Sequence, residues 1–403
     1  SLGKDATGAA RYTAGLSGSG KADFRLTVGS RAYAVSGSLR SADLRLKGAR
    51  FREVSMEGAW NRSEALETWK AHADGKMGDG TFRLDGSGKN GTTEIAGALD
   101  MLDIGQVVPL IVPWTGPRIE GVARVRFAAG IRDDGWVLDR ASISAQRVAI
   151  DNAVLTGVSG EGSIGAAGGR FVLSVQSPGI NVTANVHRGG EWPTAVTLIA
   201  NDVPTGFLLS AWGRKGTVSG GKWRVEAEGE VKAANLLSER VVLADAVSDL
   251  RFSVSGGSPS VSEVAFGEVT VSGRKEGDIL TGEASSRSPD TRLAFSMILR
   301  EPYRFRVDGP FSFRSAENGK GKDESKARFD VSGRAEIAGA LRAIEGTSGL
   351  LKIDEFHLRN RAIELSGKEI SAQIGADGVR WTGGNVLAAG NPLNVSGKVS
   401  WKG

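Results

Sequence analysis

Gly15-Leu16-Ser17-Gly18-Ser19-Gly20-Lys21 spaces glycines ahead of a lysine as a phosphate-cradling loop does. Such a nucleotide site needs a hydroxyl next, to hold magnesium, and then a helix. Ala22 follows instead, and Asp23 to Val28 alternates like a strand. Gly160-Glu161-Gly162-Ser163-Ile164-Gly165 fits the dinucleotide-binding pattern, but no strand–helix–strand setting surrounds it. With 57 glycines in the chain, such matches arise by chance. Paired carboxylates serve acid–base hydrolysis and calcium binding. Asp133-Asp134 stands before Gly135, where aspartate suits a turn for backbone reasons. Glu226, Glu228 and Glu230 share a strand face opposite Trp223 and Val225, so they read as its wet side. His72, His187 and His357 lie far apart, and there is no cysteine. That composition excludes a disulfide framework and a thiolate metal site. No serine has His and Asp partners at a recognisable spacing. The expectation is a chain that is not an enzyme, with no metal and no cofactor.

Period-two alternation dominates the rest, as in strands with one dry and one wet face. In Lys222 to Val231, the residues Trp223, Val225, Ala227, Gly229 and Val231 face one way, and Lys222, Arg224 and the three glutamates face the other. Phe329, Val331, Gly333, Ala335 and Ile337 repeat the pattern, as do Leu393, Val395, Gly397, Val399 and Trp401. Shorter versions are Phe24-Leu26-Val28, Leu250-Phe252-Val254, Leu293-Phe295-Met297-Leu299 and Tyr303-Phe305-Val307. The apolar members from Trp223 onward are the candidate lining of an apolar channel. An aliphatic-Ser-Gly signature recurs at Gly37, Gly160, Gly220, Gly256, Gly273, Gly333, Gly367 and Gly397. Glycine on the apolar face lets a sheet bend or another group approach closely.

Helical signal is scarce. Leu102 to Trp114, Pro204 to Trp212 and Ala338 to Ile344 each read as a short apolar turn or helix, closed by Gly116, Gly213 and Gly346. They divide the chain into repeats at 1–99, 100–203, 204–337 and a truncated 338–403, in one continuous elongated structure. Lys320 to Arg328 is a charged loop. A strand every ten to thirteen residues or so gives roughly 30 to 35 strands, too many for one closed barrel or sandwich. Such a sheet must wind into a solenoid or curl into a trough.

With 40% hydrophobic and 24% charged residues, composition is that of a folded protein, and only 11 prolines accompany the glycines. The net charge of +5 comes from Lys and Arg spread singly along strands, whereas nucleic-acid binding needs them clustered. No nucleic-acid partner is expected. The longest apolar run, Val107 to Trp114, is interrupted by prolines and falls short of the ~20 residues of a spanning helix. Ser1 reads as the start of a piece of a longer protein.

Phe329 to Gly339, FDVSGRAEIAG, leads into LKIDEFHLRNR, an AIELSG step and the closing Leu393-x-Val395-x-Gly397-x-Val399. This sequence resembles the body of the TamB family, the inner-membrane-anchored subunit of the translocation and assembly module. VPTGFLLSAWGRKGTVSGGKWRVEAEGEV resembles the same repeat, and Asp103 to Pro117 suits the wider AsmA-like group equally. The resemblance runs through the second half of the chain. It implies an all-β fold, a long curled β-sheet forming an open U-shaped groove with a few short helices between repeats. It further implies a periplasmic site in a Gram-negative-type bacterium and phospholipid acyl chains as cargo. An outer-membrane β-barrel partner would be met through parts of the full-length protein not clearly present. Two other readings stand beside it: a scaffold for β-barrel assembly by strand augmentation, and a β-solenoid adhesin or polysaccharide-binding protein.

Overall fold

The computed structural model describes residues 16–46, 49–111, 118–132, 135–151, 153–211, 218–236, 242–257, 260–261, 264–265, 267–287, 290–314, 328–340, 343–359, 364–375, 377–393 and 396–400. They divide into two units, one reaching Ala195 and the other starting at Val196. The first holds β1 (Leu16–Val28), β2 (Ala32–Leu46), β3 (Ala49–Ser63), β4 (Glu67–Met77), β5 (Gly80–Lys89), β6 (Thr92–Asp103), helix α1 (Ile104–Ile111), β7 (Ile119–Arg132), β8 (Gly135–Ile150), β9 (Ala153–Ile164), β10 (Gly168–Ser177) and β11 (Gly179–His187). Strand β12 (Pro193–Pro204) runs through the division. The second unit holds α2 (Thr205–Ala211), β13 (Val218–Ser219), β14 (Lys222–Lys232), α3 (Ala233–Leu236), α4 (Leu243–Ala246), β15 (Val247–Gly257), β16 (Ser260–Val261), β17 (Val264–Ala265), β18 (Val269–Glu276), β19 (Ile279–Arg287) and β20 (Asp290–Ile298). It continues with β21 (Arg304–Arg314), β22 (Arg328–Ala340), β23 (Ala343–Arg359), β24 (Glu364–Gly375), β25 (Gly378–Ala388), β26 (Asn391–Leu393) and β27 (Gly397–Ser400).

The fold is all-β with few short helices, and its sheet is antiparallel and open. In the first unit every strand from β1 to β11 pairs with the next in sequence. In the second unit β14, β15 and β18 onward form the same kind of ladder to β25, with β26 and β27 both on β25. Strands β13, β16 and β17 make a separate small sheet. The described residues hold 27 strands, of which β8 runs to 16 residues and β23 to 17.

Helices α1 and α2 fall inside the expected apolar segments. Asp103 starts α1: its carboxylate accepts the Gly105 N–H at 3.0 Å and the Gln106 amide at 2.9 Å. Ile104 and Val107 then pack on two clusters, one around Ala123, Ala145 and Val148 and one around Met77 and Leu102. In the third expected turn or helix, Ala338 to Ile344, the described residues end β22 and begin β23, with Ala340 paired to Ala343, so there the chain reverses instead of forming a helix. Alternation from Val331 runs on to Ala340, so these residues extend the ladder. No described helix is long and apolar enough to cross a membrane.

The glycines on the apolar face are seats for rings. Phe24 stands opposite Gly37, Phe127 opposite Gly97, Phe171 opposite Gly162, Trp223 opposite Gly256, Phe252 opposite Gly273, and Phe356 opposite Gly367. A β-carbon added to any of these glycines would lie between 2.1 and 2.7 Å from the facing ring. A ring lying flat on its cross-strand glycine shields that backbone and fixes the register.

A second device recurs at strand irregularities. Glu53, Met101, Asp202 and Glu369 take positive φ of 52°, 57°, 54° and 54°. Each is followed by a buried aliphatic residue: Val54, Leu102, Val203 and Ile370. In β3, β6 and β24 the pairing register shifts at that point. The left-handed step turns the next side chain onto the core at a cost of about 1–2 kcal/mol for a residue with a β-carbon. Met101 is 63% exposed, so its side chain contributes little in return. Met101→Gly is therefore expected to stabilise the chain by about 0.5–1 kcal/mol, read as a higher urea midpoint. A lower midpoint would mean that the left-handed step is not strained.

Candidate functional site

Registers place a continuous apolar row across the first unit: Ala22, Leu39, Met56, Ala73, Leu84, Gly97, Phe127, Ala141, Gly162, Phe171 and Ala184, one residue per strand. The adjacent position on each strand belongs to the other face, where Asp23, Ser38, Glu57, His72 and Asp85 form the corresponding row. On the apolar side a furrow of 570 Å³ crosses β1 to β6. Its floor is Gly58, Ala71 and Gly86, and its walls are Val35, Trp60 and Trp69 on one side and Leu39, Met56 and Leu84 on the other. A smaller apolar slot of 240 Å³ lies farther along, between Ile143, Phe171, Leu173 and Val182. Helix α1 covers the strand ends near Leu102 and Val148. Near β1 the face is bare, with Phe24 77%, Leu26 66% and Val28 63% exposed.

The charged side is hollowed too. A depression of 1040 Å³ there is lined by Asp23, Arg25, Glu57, Lys70, His72, Asp85 and Glu94, among others. It is larger than the apolar furrow, yet the furrow is the better site for a ligand that must leave water, because its walls offer almost no polar surface. The charges on this side hold the sheet in register. His72 Nδ1 lies 2.7 Å from Asp85 Oδ1, and Nε2 lies 3.3 Å from Asp74 Oδ1. The His72 hydrogen bond, with the charge of Arg83, holds the Asp85 carboxyl below the usual range. Arg50 does the same for Asp43, and Lys368 with His357 for Glu355. Arg292–Glu283, Arg306–Glu336 and Arg334–Asp308 are further cross-strand pairs in the second unit.

Most of the expected channel residues share the apolar face of the second unit. Trp223, Val225 and Ala227 stand opposite Gly256, Val254 and Phe252, and Leu250 faces Gly229. Val231 reaches Val247 after a one-residue slip. Leu293, Phe295 and Met297 oppose Ala284, Gly282 and Leu280, while Phe305 and Val307 oppose Met297 and Phe295. Val331, Ala335 and Ile337 oppose Phe356, Leu351 and Gly349. The Trp223 indole N–H also donates to Thr205 Oγ1 at 2.7 Å, tying the start of α2 to β14. Leu299 follows β20 and is buried against Ala244 and Leu280. Tyr303 sits in the β20–β21 turn at a φ of 57°. Leu393 is exposed at the end of β26, opposite Val386. Phe329 and Val399 stand opposite Leu358 and Val379 in backbone register. Val395, Trp401 and the Asp133-Asp134 pair lie outside the described residues. Of the glycine–lysine stretch, Leu16 to Lys21 lie in β1 and Gly15 falls outside the described residues, while Gly160 to Ile164 lies within β9.

The furrow residues of the first unit are all additions to that set. Their strands carry Gly37, Gly58, Ala71 and Gly86 on the dry side, which weakens the hydropathy alternation. Among the described residues no group of three His, Asp or Glu could hold a metal ion. What the fold and site define is an open antiparallel sheet with one face apolar. No family model, curated protein or solved structure matches the chain.

Proposed function

We propose that the chain is a lipid-conducting groove: acyl chains lie on the apolar face, headgroups stay at the rim, and phospholipid moves between the inner and outer membranes through the periplasm. The observation that carries this reading is the apolar furrow of β1 to β6, which no second layer among the described residues covers. Each methylene moved there from water is worth about 0.8 kcal/mol. Rows of similar apolar side chains give similar affinity at successive strands, so a lipid slides without a deep trap. The sequence likeness to the TamB family and the wider AsmA-like group supports the same cargo. In this reading the chain performs no chemistry of its own, and any driving force comes from elsewhere. Native mass spectrometry after incubation with vesicles of phosphatidylethanolamine and phosphatidylglycerol is expected to show phospholipid retained by the folded chain. A folded chain that carries none would overturn the proposal. One observation favours strand augmentation as a second reading: β1 pairs only with β2 among the described residues and bears the exposed Phe24, Leu26 and Val28. That reading requires photo-crosslinkers in β1 to capture protein instead of lipid.

A further inference from the structure

In the second unit part of the apolar face is covered, and the cover is slight. The single turn α4 packs Ala244 onto Leu280 and Leu299, with Leu250, Phe252, Phe295 and Met297 around them. Only alanine side chains, Ala244 and Ala246, are buried from this turn. Its own backbone hydrogen bonds include those from the Asp245 and Ala246 N–H groups to the Val242 carbonyl at 3.0 and 2.9 Å, and one from the Val247 N–H to the Leu243 carbonyl, so it amounts to a single turn. The turn therefore holds itself in place poorly, by burial or by helix formation.

Charge supplies the hold. The Arg300 guanidinium, in the β20–β21 turn, donates from Nη2 to Asp245 Oδ1 of α4 at 2.7 Å. From Nε it donates to Asp278 Oδ2 of the β18–β19 turn at 2.6 Å. Asp278 is itself anchored, because its carbonyl accepts the Leu299 N–H at 2.8 Å. One planar fork thus joins α4 to two turns of the ladder below it, a geometry that a lysine ammonium cannot reproduce. Lys275, on the row opposite Leu280, is 9% exposed and adds positive charge near Asp278. Asn235 of α3 donates to the Asp245 carbonyl at 3.3 Å from the other side.

We propose that α4 is a lid over the apolar face of the second unit and that Arg300 is its latch. Released, the lid bares Leu280 and Leu299 and lengthens the apolar path. Closed, it denies that stretch to an acyl chain. The consequence for lipid rests on the conduit reading above, whereas the latch itself does not.

The test uses hydrogen–deuterium exchange on this chain and three variants. In Arg300→Gln the amides of Asp245 and Ala246 are expected to exchange about three- to tenfold faster, the range that losing two exposed ion pairs allows. Asp278→Asn should fall between Arg300→Gln and the parent, and so should Arg300→Lys. The amides of β19 and β20 should keep their protection, which separates lid opening from unfolding. Unchanged exchange at Asp245 and Ala246 in Arg300→Gln overturns the latch. Native mass spectrometry with the same vesicles should show more phospholipid per chain in Arg300→Gln than in the parent. An open lid with unchanged lipid content overturns the gating role. A parent chain that holds no phospholipid defeats the conduit reading, and the latch then stands or falls on exchange alone.

Discussion

On the proposed lipid path, passage is expected to stall in Val225→Asp and to continue in Glu226→Lys, although the two positions are neighbours. Val225 heads the row Val225, Val254, Val271, Ala284 and Leu293, one residue from each of five successive strands of the ladder. A carboxylate in that row meets every acyl chain that passes along it. An ionised group in an apolar setting is strongly disfavoured, and if only about 3 kcal/mol of that cost is felt, occupancy falls roughly a hundredfold. The position is half-buried and the backbone pairing to Val254 is untouched, so the sheet survives. Glu226 points to the other side, where Arg224 Nε reaches it at 2.7 Å. Charge reversal there loses one surface ion pair, worth at most about 1 kcal/mol. A photo-crosslinking residue at 225 should capture phospholipid and one at 226 should not. Equal capture at both positions, or normal passage in Val225→Asp, would remove the apolar face as the lipid path.

The largest stability effect is expected at a ring seat. In Gly162→Ala the new β-carbon would lie 2.1 Å from Phe171 Cδ1 and 2.6 Å from Cε1, so the ring must leave its place. Phe171 lines the slot with Ile143, Leu173 and Val182, and forcing the ring off its glycine loses that seat at a cost of about 1–3 kcal/mol, as in an overpacked core. Urea unfolding of Gly162→Ala should show that loss. Adding Phe171→Ala should return part of it, because the two changes act on one contact. Strict additivity of the two losses would show that the ring does not depend on the glycine.

Both results bear on how far a sequence of this kind can be read. Strands such as Lys222 to Val231 and Leu293 to Met297 were legible because their two sides differ sharply in polarity. The dry face of the first unit was harder. On β2 to β5 one of its rows consists of Gly37, Gly58, Ala71 and Gly86, and the bulky walls belong to neighbouring rows. Only cross-strand register reveals that these small residues floor a furrow. The repeated Ser-Gly signature was visible, but its partner ring sits in another strand, so it suggested bending instead of a seat. Left-handed steps at Glu53, Met101 and Glu369 carry no residue signal, since that conformation favours glycine, asparagine and aspartate; only Asp202 is of a favoured type. The lid α4, Leu-Ala-Asp-Ala, has no side-chain cap and is a single turn. Its position depends on Arg300, 55 residues away in sequence from Asp245.

The nearest-neighbour pairing within each ladder has a consequence for ancestry. When each strand binds only the strands beside it in sequence, a hairpin can be duplicated or deleted without changing any other pair. One hairpin adds about 10 Å, twice the strand spacing. A closed barrel cannot be edited this way, because its strand number, tilt and shear must agree around the whole circumference. Lineages carrying such a ladder are therefore free to differ by whole hairpins, and reach becomes a trait that selection can adjust in steps to whatever gap has to be crossed.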